Sequence, residues 1–143
     1  MKRRASHIYA GIPAGSFIKA KAEIHSYQEA ADFLGDESER ELASNVRVLR
    51  LPKALDGALC IGIQLYNTIV LRYYSDGTFV ADNGGHNTPT TRTRVAQFGP
   101  KGWNWWHKKK QLHGYHQSSQ REIPFPGRVC ATSGDTVAGA DTW

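Results

Sequence analysis

The clearest pattern of hydrophobic and polar positions lies between residues 59 and 82, where the two types alternate. A period of two is typical of strands with one buried face. Turns at Tyr66-Asn67-Thr68 and Asp76-Gly77 divide the segment, and we expect the second to be a two-residue type I′ hairpin because glycine accepts a positive φ. The pattern predicts an antiparallel β-meander whose inward face carries Leu59, Ile61, Ile63, Leu65, Ile69, Leu71, Tyr73, Phe79 and Ala81.

Two further strands and a helix are predicted before the meander. Residues 17–24 and 46–51 alternate as half-buried strands do. Ser26 and Glu29 have the spacing of a capping box, which favours a helix that Gly35 ends.

The acidic residues of the chain are concentrated after that helix. Asp36 with Glu39 repeats the capping signal and predicts a second short helix to about Ala43. Clustered carboxylates can bind metal or act in acid–base catalysis, but on short helices they more often form a solvated face, which is the interpretation we favour. The cluster consists of Glu29, Asp32, Asp36, Glu37, Glu39 and Glu41.

A glycine loop follows the meander and suggests an anion site. Asn83-Gly84-Gly85-His86 frees the backbone, and Thr90 or Thr91 can cap a helix whose apolar stripe is Val95 and Phe98. We expect free loop amides, the helix N-terminus, Arg92 and Arg94 to favour a phosphate together. The alternative is that both arginines are ordinary surface side chains with buried stems.

An aromatic and basic hairpin is predicted after Gly99-Pro100, which stops the helix. Residues 103–107 and 111–115 read as strands, with Lys108, Lys109 and Lys110 at the turn. Bases of a single-stranded nucleic acid can stack on rings such as Trp105 and Trp106 while ammonium groups meet phosphates. Alternatively, Trp103 and Trp105 belong to the core, and the lysines protect a sheet edge from aggregation.

The predicted architecture is one α+β domain with an extended C-terminal tail. Residues 1–117 form the domain: an antiparallel β-meander with a short helix packed on one face, N-terminal helices, and a core over 59–116. Residues 118–143 are rich in Ser, Gly, Pro, Thr and Ala and predict a tail that Phe125 and Trp143 could anchor. A tail held by a neighbouring subunit would make the protein a homo-oligomer.

The composition of the chain indicates the charge of its partners and the cellular compartment in which it acts. The chain of 143 residues has 18 Lys and Arg against 13 Asp and Glu, a net charge of +5, which favours polyanionic partners. Cys60 and Cys130 are too few for a disulfide framework, so a reducing cytoplasm is expected. The basic opening Met1-Lys2-Arg3-Arg4 lacks the apolar stretch of a signal peptide, and no run reaches membrane-spanning length, so no membrane partner is expected.

Several short segments resemble a widespread group of small, mostly uncharacterised proteins of tailed bacteriophages. They are Leu65-Tyr66-Asn67-Thr68-Ile69-Val70, Tyr74-Ser75-Asp76-Gly77-Thr78, Asn83-Gly84-Gly85, Thr88-Pro89-Thr90-Thr91-Arg92-Thr93-Arg94 and Gly102-Trp103. The match covers about residues 59–113, and His86 stands where such relatives often have Trp. The resemblance implies a phage accessory protein acting in the host cytoplasm, without an implied activity or site.

Three classes of function are open, and binding is favoured. A hydrolase or nuclease is least supported, since His107, His113 and His116 have no zinc-site spacing and Asp82, His86 and Thr91 are a weak candidate triad. We expect a non-enzymatic protein with no cofactor and no metal that binds phosphate-bearing ligands, nucleic acid first. The alternative is an anti-defence protein that sequesters a host nucleotide signal or blocks a host defence protein.

Overall fold

The computed structural model describes residues 14–130 and 136–137, which form two antiparallel sheets and two α-helices. The helices are α1 (Tyr27–Leu34) and α2 (Pro89–Phe98), and Ala14–Ser16 is a 3-10 turn. The strands are β1 (Glu39–Ala43), β2 (Val46–Leu51), β3 (Cys60–Leu65), β4 (Thr68–Tyr74), β5 (Thr78–Ala81), β6 (Trp103–Lys108), β7 (Gln111–His116), β8 (Arg121–Phe125), β9 (Arg128–Cys130) and β10 (Thr136–Val137).

The larger sheet has the order β1-β2-β3-β4-β5-β9, with the two-residue β10 paired outside β9. The smaller sheet has the order β6-β7-β8. The predicted α+β class is confirmed. Both sheets and both helices contribute to one hydrophobic core, so the described chain is a single domain.

The inward face of the meander is largely as predicted. Ile61, Ile63, Leu71, Tyr73 and Phe79 are all buried. The prediction is wrong for two residues. A bulge between Ile63 and Gln64 turns Ile69 to the opposite face, beside Gly62, and Leu59 precedes β3 and is 47% exposed.

Helix α1 is confirmed, but the second N-terminal helix is wrong. The Ser26 hydroxyl accepts a hydrogen bond from the Glu29 amide (3.1 Å), and the helix ends at Gly35. Residues 39–43 instead form β1, because pairing with β2 and the ion pair of Arg47 with Glu39 override the local capping signal.

Residues 17–24 are not a strand either. Their single bridge joins Ala20 to Ala43 at the sheet edge. The side chain of Gln97 substitutes for a neighbouring strand, since it accepts from the Ile18 amide (3.1 Å) and donates to the Ile18 carbonyl (2.7 Å). The segment is thus held to α2 at Ile18 and to the edge of β1 at Ala20 and Lys21, where the Lys21 amide donates to the Leu42 carbonyl (2.8 Å).

The tail prediction is wrong for residues 118–130. Strand β8 pairs with β7, and β9 pairs with β5. Ile123, Phe125 and Val129 belong to the core. Phe125 does act as an anchor, whereas Trp143 and the basic opening lie outside the described residues.

Candidate nucleic-acid interface

The glycine loop and the lysine hairpin, which are 27 residues apart in sequence at their contact, meet in the structure. Asn83 joins them and is only 6% exposed. Its Nδ2 donates to the Lys110 carbonyl (3.1 Å), and its Oδ1 accepts from the Gly85 amide (2.9 Å). One buried amide therefore holds both predicted sites at the same end of the molecule.

The predicted hairpin is confirmed, and its turn has unusual geometry. Lys109 and Lys110 form the two-residue loop between β6 and β7, with φ of 52° and 68°. A type I′ turn requires positive φ at both positions, which normally favours Asn and Gly. Lysine is therefore held here in a strained conformation, with Lys108, Lys109 and Lys110 all exposed.

The prediction of free loop amides is wrong. The Gly84 amide donates to Asp82 Oδ1 (2.9 Å), and the His86 amide donates to the Asn83 carbonyl (2.8 Å). Asp and Asn side chains commonly satisfy nearby amides in this way. Because the Gly85 amide is also taken by Asn83, the loop offers no ready cradle for a phosphate.

Helix α2 begins earlier than predicted. Its N-cap is Thr88, whose hydroxyl accepts from the Thr91 amide (3.2 Å), rather than Thr90 or Thr91. Pro89 has no amide proton, so within the described chain only the Thr90 amide is left at the first turn. Val95 and Phe98 are buried as predicted, and Tyr73 donates its hydroxyl to the Phe98 carbonyl (2.6 Å).

The two arginines of α2 have different environments. Arg94 does not reach the loop: it is 9% exposed and donates to Gln97 Oε1 (2.6 Å) and to the Ser16 carbonyl (3.3 Å). Arg92 is half-buried. Burial, and then the charge of Arg92, lower the pKa of His107 in β6. Arg92 lies on α2, and this helix packs against β6, the strand that leads into the lysine turn.

Trp105 and Trp106 point to opposite faces of the smaller sheet. Trp105 is 3% exposed and packs on Phe125, so its predicted role in base stacking is wrong and the core alternative is correct. Trp106 is half-buried on the outer face and stacks on His113, with ring centroids 5.6 Å apart and planes 19° apart.

The candidate triad and a metal-ligand cluster are not found in the described residues. Asp82 bonds to the Gly84 amide, and the Thr91 hydroxyl pairs with that of Thr88 (3.1 Å), so the weak candidate triad does not line up. No group of three His, Cys, Asp or Glu side chains within 14–130 is placed to hold a metal ion. The acidic residues Glu37, Glu39 and Glu41 are exposed.

A cavity of about 440 Å³ lies on the other side of the glycine loop. It is a half-open pocket between the β3–β4 turn and the start of α2, and its lining includes Tyr66, His86, Thr88, Thr90 and Thr91. Sequence reasoning treated Tyr66 only as a turn residue. The one available signal was an aromatic residue inside a turn, a position that usually carries Gly, Asn or Asp.

None of the helices found in the described chain has the length and apolar character needed to cross a membrane. Comparison of the sequence and the structure with protein-family models, curated proteins and solved structures gave no match.

Proposed function

We propose that this chain is a small bacteriophage accessory protein that binds nucleic acid without catalysing a reaction. The binding surface is the basic end, defined here as residues 83–86, Arg92 and residues 106–110. The observation that carries the proposal is the hydrogen bond from Asn83 to Lys110, which fixes the lysine turn beside the glycine loop. The phage assignment follows from the resemblance of residues 59–113.

The charge distribution supports a polyanionic ligand at this end. Residues 14–58 contain six Lys and Arg against eight Asp and Glu, whereas residues 59–130 contain nine against three. Of the nine, Arg128 is paired with acidic side chains and Arg94 is buried. The remaining excess includes Arg92 and three exposed lysines, and a cluster of this kind attracts phosphates over long range.

Single-stranded nucleic acid fits the surface best. Lys108 and Trp106 lie on the same outer face of the hairpin, because they are two residues apart on β6. Ammonium groups beside a partly exposed ring can bind the backbone and a stacked base at once. In this proposal the glycine loop positions the lysine turn through Asn83, and Trp106 makes the contacts to the bases.

The proposal is tested by measuring the affinity for a labelled single-stranded oligonucleotide as a function of salt. We expect the joint change Lys108→Gln, Lys109→Gln and Lys110→Gln to flatten the log–log slope by about 0.7 for each lost phosphate contact. The matched control changes Lys19, Lys21 and Lys53 to Gln, an equal loss of charge elsewhere. Equal slopes for the two triple variants would contradict the proposal.

A second function remains a candidate because of the cavity beside the loop. Its volume of about 440 Å³ is in the range of small-molecule sites. An anti-defence protein that sequesters a host nucleotide signal would need such a space. It predicts tight binding of mononucleotides or cyclic nucleotides that does not depend on the lysine turn, and the same variants distinguish it from the first function.

A further inference from the structure

The cavity of about 440 Å³ between the β3–β4 turn and α2 has a lining without charged carboxylate, ammonium or guanidinium groups. None of its lining residues is an Asp, Glu, Lys or Arg. Leu65 and Val70 are buried and apolar, whereas Asn67, Thr68, His86 and Thr90 bring polar side chains. A mostly apolar wall with a few hydrogen-bonding groups is usual for small-molecule sites.

Tyr66 is one of the residues that line this cavity, and hydrogen bonds hold its backbone in place. The residue is 60% exposed and has a φ of 55°, which is rare for an aromatic residue. Its amide donates to the Asn45 carbonyl (2.9 Å), and its carbonyl accepts from Gln64 Nε2 (2.6 Å). A large ring is thus kept at the surface by its backbone instead of being buried.

Polar side chains around the cavity are available to a ligand. Asn67, Thr68, Thr90 and the His86 ring make no side-chain hydrogen bond within the part of the chain that the structure describes. The glycine loop closes one side, because Gly84, at a φ of 59°, packs so near Thr68 that a Cβ would collide with its methyl group.

Helix α2 also carries a buried positive charge, Arg94. Arg94 donates to two neutral oxygens, and no acidic side chain pairs with it among residues 14–130. Burial lowers the pKa of Arg94, while the Tyr66 hydroxyl acts in the opposite direction, so the two groups interact electrostatically.

We infer that this cavity binds the base of a nucleotide, stacked on the Tyr66 ring, with its edge hydrogen-bonded by Asn67, Thr68 and Thr90. Stacking on an aromatic ring tolerates any base, and the polar groups give preference among bases. This inference adds a base-binding site to the proposed function. It rests on the proposed function only for where the base comes from. That source is either a splayed base of a bound strand or a free mononucleotide.

The test measures calorimetric binding of AMP, GMP, CMP and UMP and of a short single-stranded oligonucleotide. Three proteins are compared: wild type, Tyr66→Gly, and the joint Lys109→Gln and Lys110→Gln variant. Glycine accepts the positive φ, so Tyr66→Gly keeps or raises stability in a parallel urea titration. We expect it to weaken binding of at least one ligand class roughly 5- to 100-fold, the loss that removal of a stacking ring produces.

The pattern of losses separates the outcomes. If Tyr66→Gly weakens binding of the oligonucleotide alone, the cavity holds a splayed base of a bound strand. If it weakens binding of mononucleotides, the cavity holds a free nucleotide. Either result supports the inference, and Tyr66→Phe should restore the binding. Unchanged binding of every ligand by Tyr66→Gly would overturn it. The lysine variant tests the proposed function separately, because it should weaken binding of the oligonucleotide and leave binding of mononucleotides unchanged.

Discussion

The β4–β5 and β6–β7 hairpins both need a tight turn with a positive φ, but they use different residues for it. In the first turn only Gly77 has a positive φ, of 90°, and Asp76 accepts hydrogen bonds from the Thr78 amide (3.0 Å) and hydroxyl (2.6 Å). The predicted type I′ form is wrong there, because the loop has three residues and Asp76 keeps a negative φ. In this turn the one position with a positive φ is a glycine, so the residue types suit the backbone conformation.

The second turn has the type I′ geometry without residues that favour it. Lys109 and Lys110 both have positive φ, at a cost of roughly 1 to 2 kcal/mol per residue for L-amino acids. The buried side chain of Asn83 supports the turn from the glycine loop. Strain of this kind persists where the surrounding structure enforces it, and it is concentrated at functional sites.

The two turns differ in what holds them: ion pairs support the first, whereas our proposal assigns ligand binding to the second. Arg128 supports the first turn and is 2% exposed. Its guanidinium pairs with Asp76 (2.9 Å) and Asp56 (3.4 Å) and lies 3.9 Å from the Tyr74 ring centroid. Among residues 14–130, no comparable network holds the exposed Lys108, Lys109 and Lys110.

The largest expected effect comes from breaking the supported turn. Arg128→Met removes the ion pairs and the bond to the Thr78 hydroxyl (2.8 Å), and we expect a loss of about 2 to 4 kcal/mol in the free energy of unfolding. Lys108→Gln, an equal charge change at the other turn, should stay within about 0.5 kcal/mol. Urea titrations measure both, and similar values for the two variants would invalidate the comparison.

The next largest effect should be a gain in stability at the strained turn. Lys109→Asn with Lys110→Gly supplies the residues that type I′ geometry favours, and we expect the free energy of unfolding to rise by about 1 to 2 kcal/mol. Affinity for the oligonucleotide should fall at the same time, because two charges are lost. A variant that is less stable than wild type would show that the lysine turn is not strained.

A smaller loss is expected at Gly77. Gly77→Ala places a side chain at a φ of 90°, in open space, and we expect a cost of about 1 kcal/mol from the backbone alone. Gly15→Ala is the control, since its added methyl also meets nothing but its φ is not positive. Thermal unfolding of the two variants should separate them, and a Gly77 variant as stable as the control would argue against the role of this glycine.

The smallest effect concerns pH. Burial raises the pKa of Asp76, but the hydrogen bonds from Thr78 and the charge of Arg128 outweigh it, so the pKa lies below its usual value of 3.8. A lowered pKa in the folded state contributes stability that is present above pH 3.8 and is lost as the pH falls through the folded value. Asp76→Asn should therefore flatten the pH dependence of stability below pH 3.8. An unchanged acid limb would exclude this contribution.

Most strands and α1, which alternation and capping encode, were predicted correctly, whereas elements that depend on distant partners were not. Local errors also occurred at the Asp76-Gly77 turn and at the N-cap of α2, which is Thr88. The meander, α1 and the lysine hairpin follow from alternation, capping and turn residues. Glu39–Ala43 became a strand because β2 pairs with it, and residues 121–130 became strands because β7 and β5 do. The composition of the glycine loop could not show that Asp82 and Asn83 occupy its amides.

The most direct test of the account is an NMR titration of the isotope-labelled protein with a single-stranded oligonucleotide. If the basic end binds nucleic acid, we expect the shifted amide signals to belong to residues 83–86, Arg92 and 106–110. Asn83 and Lys110 should shift together because they are hydrogen-bonded. Shifts confined to residues 19–53, or no shifts at low salt, would contradict the claim that the basic end binds nucleic acid.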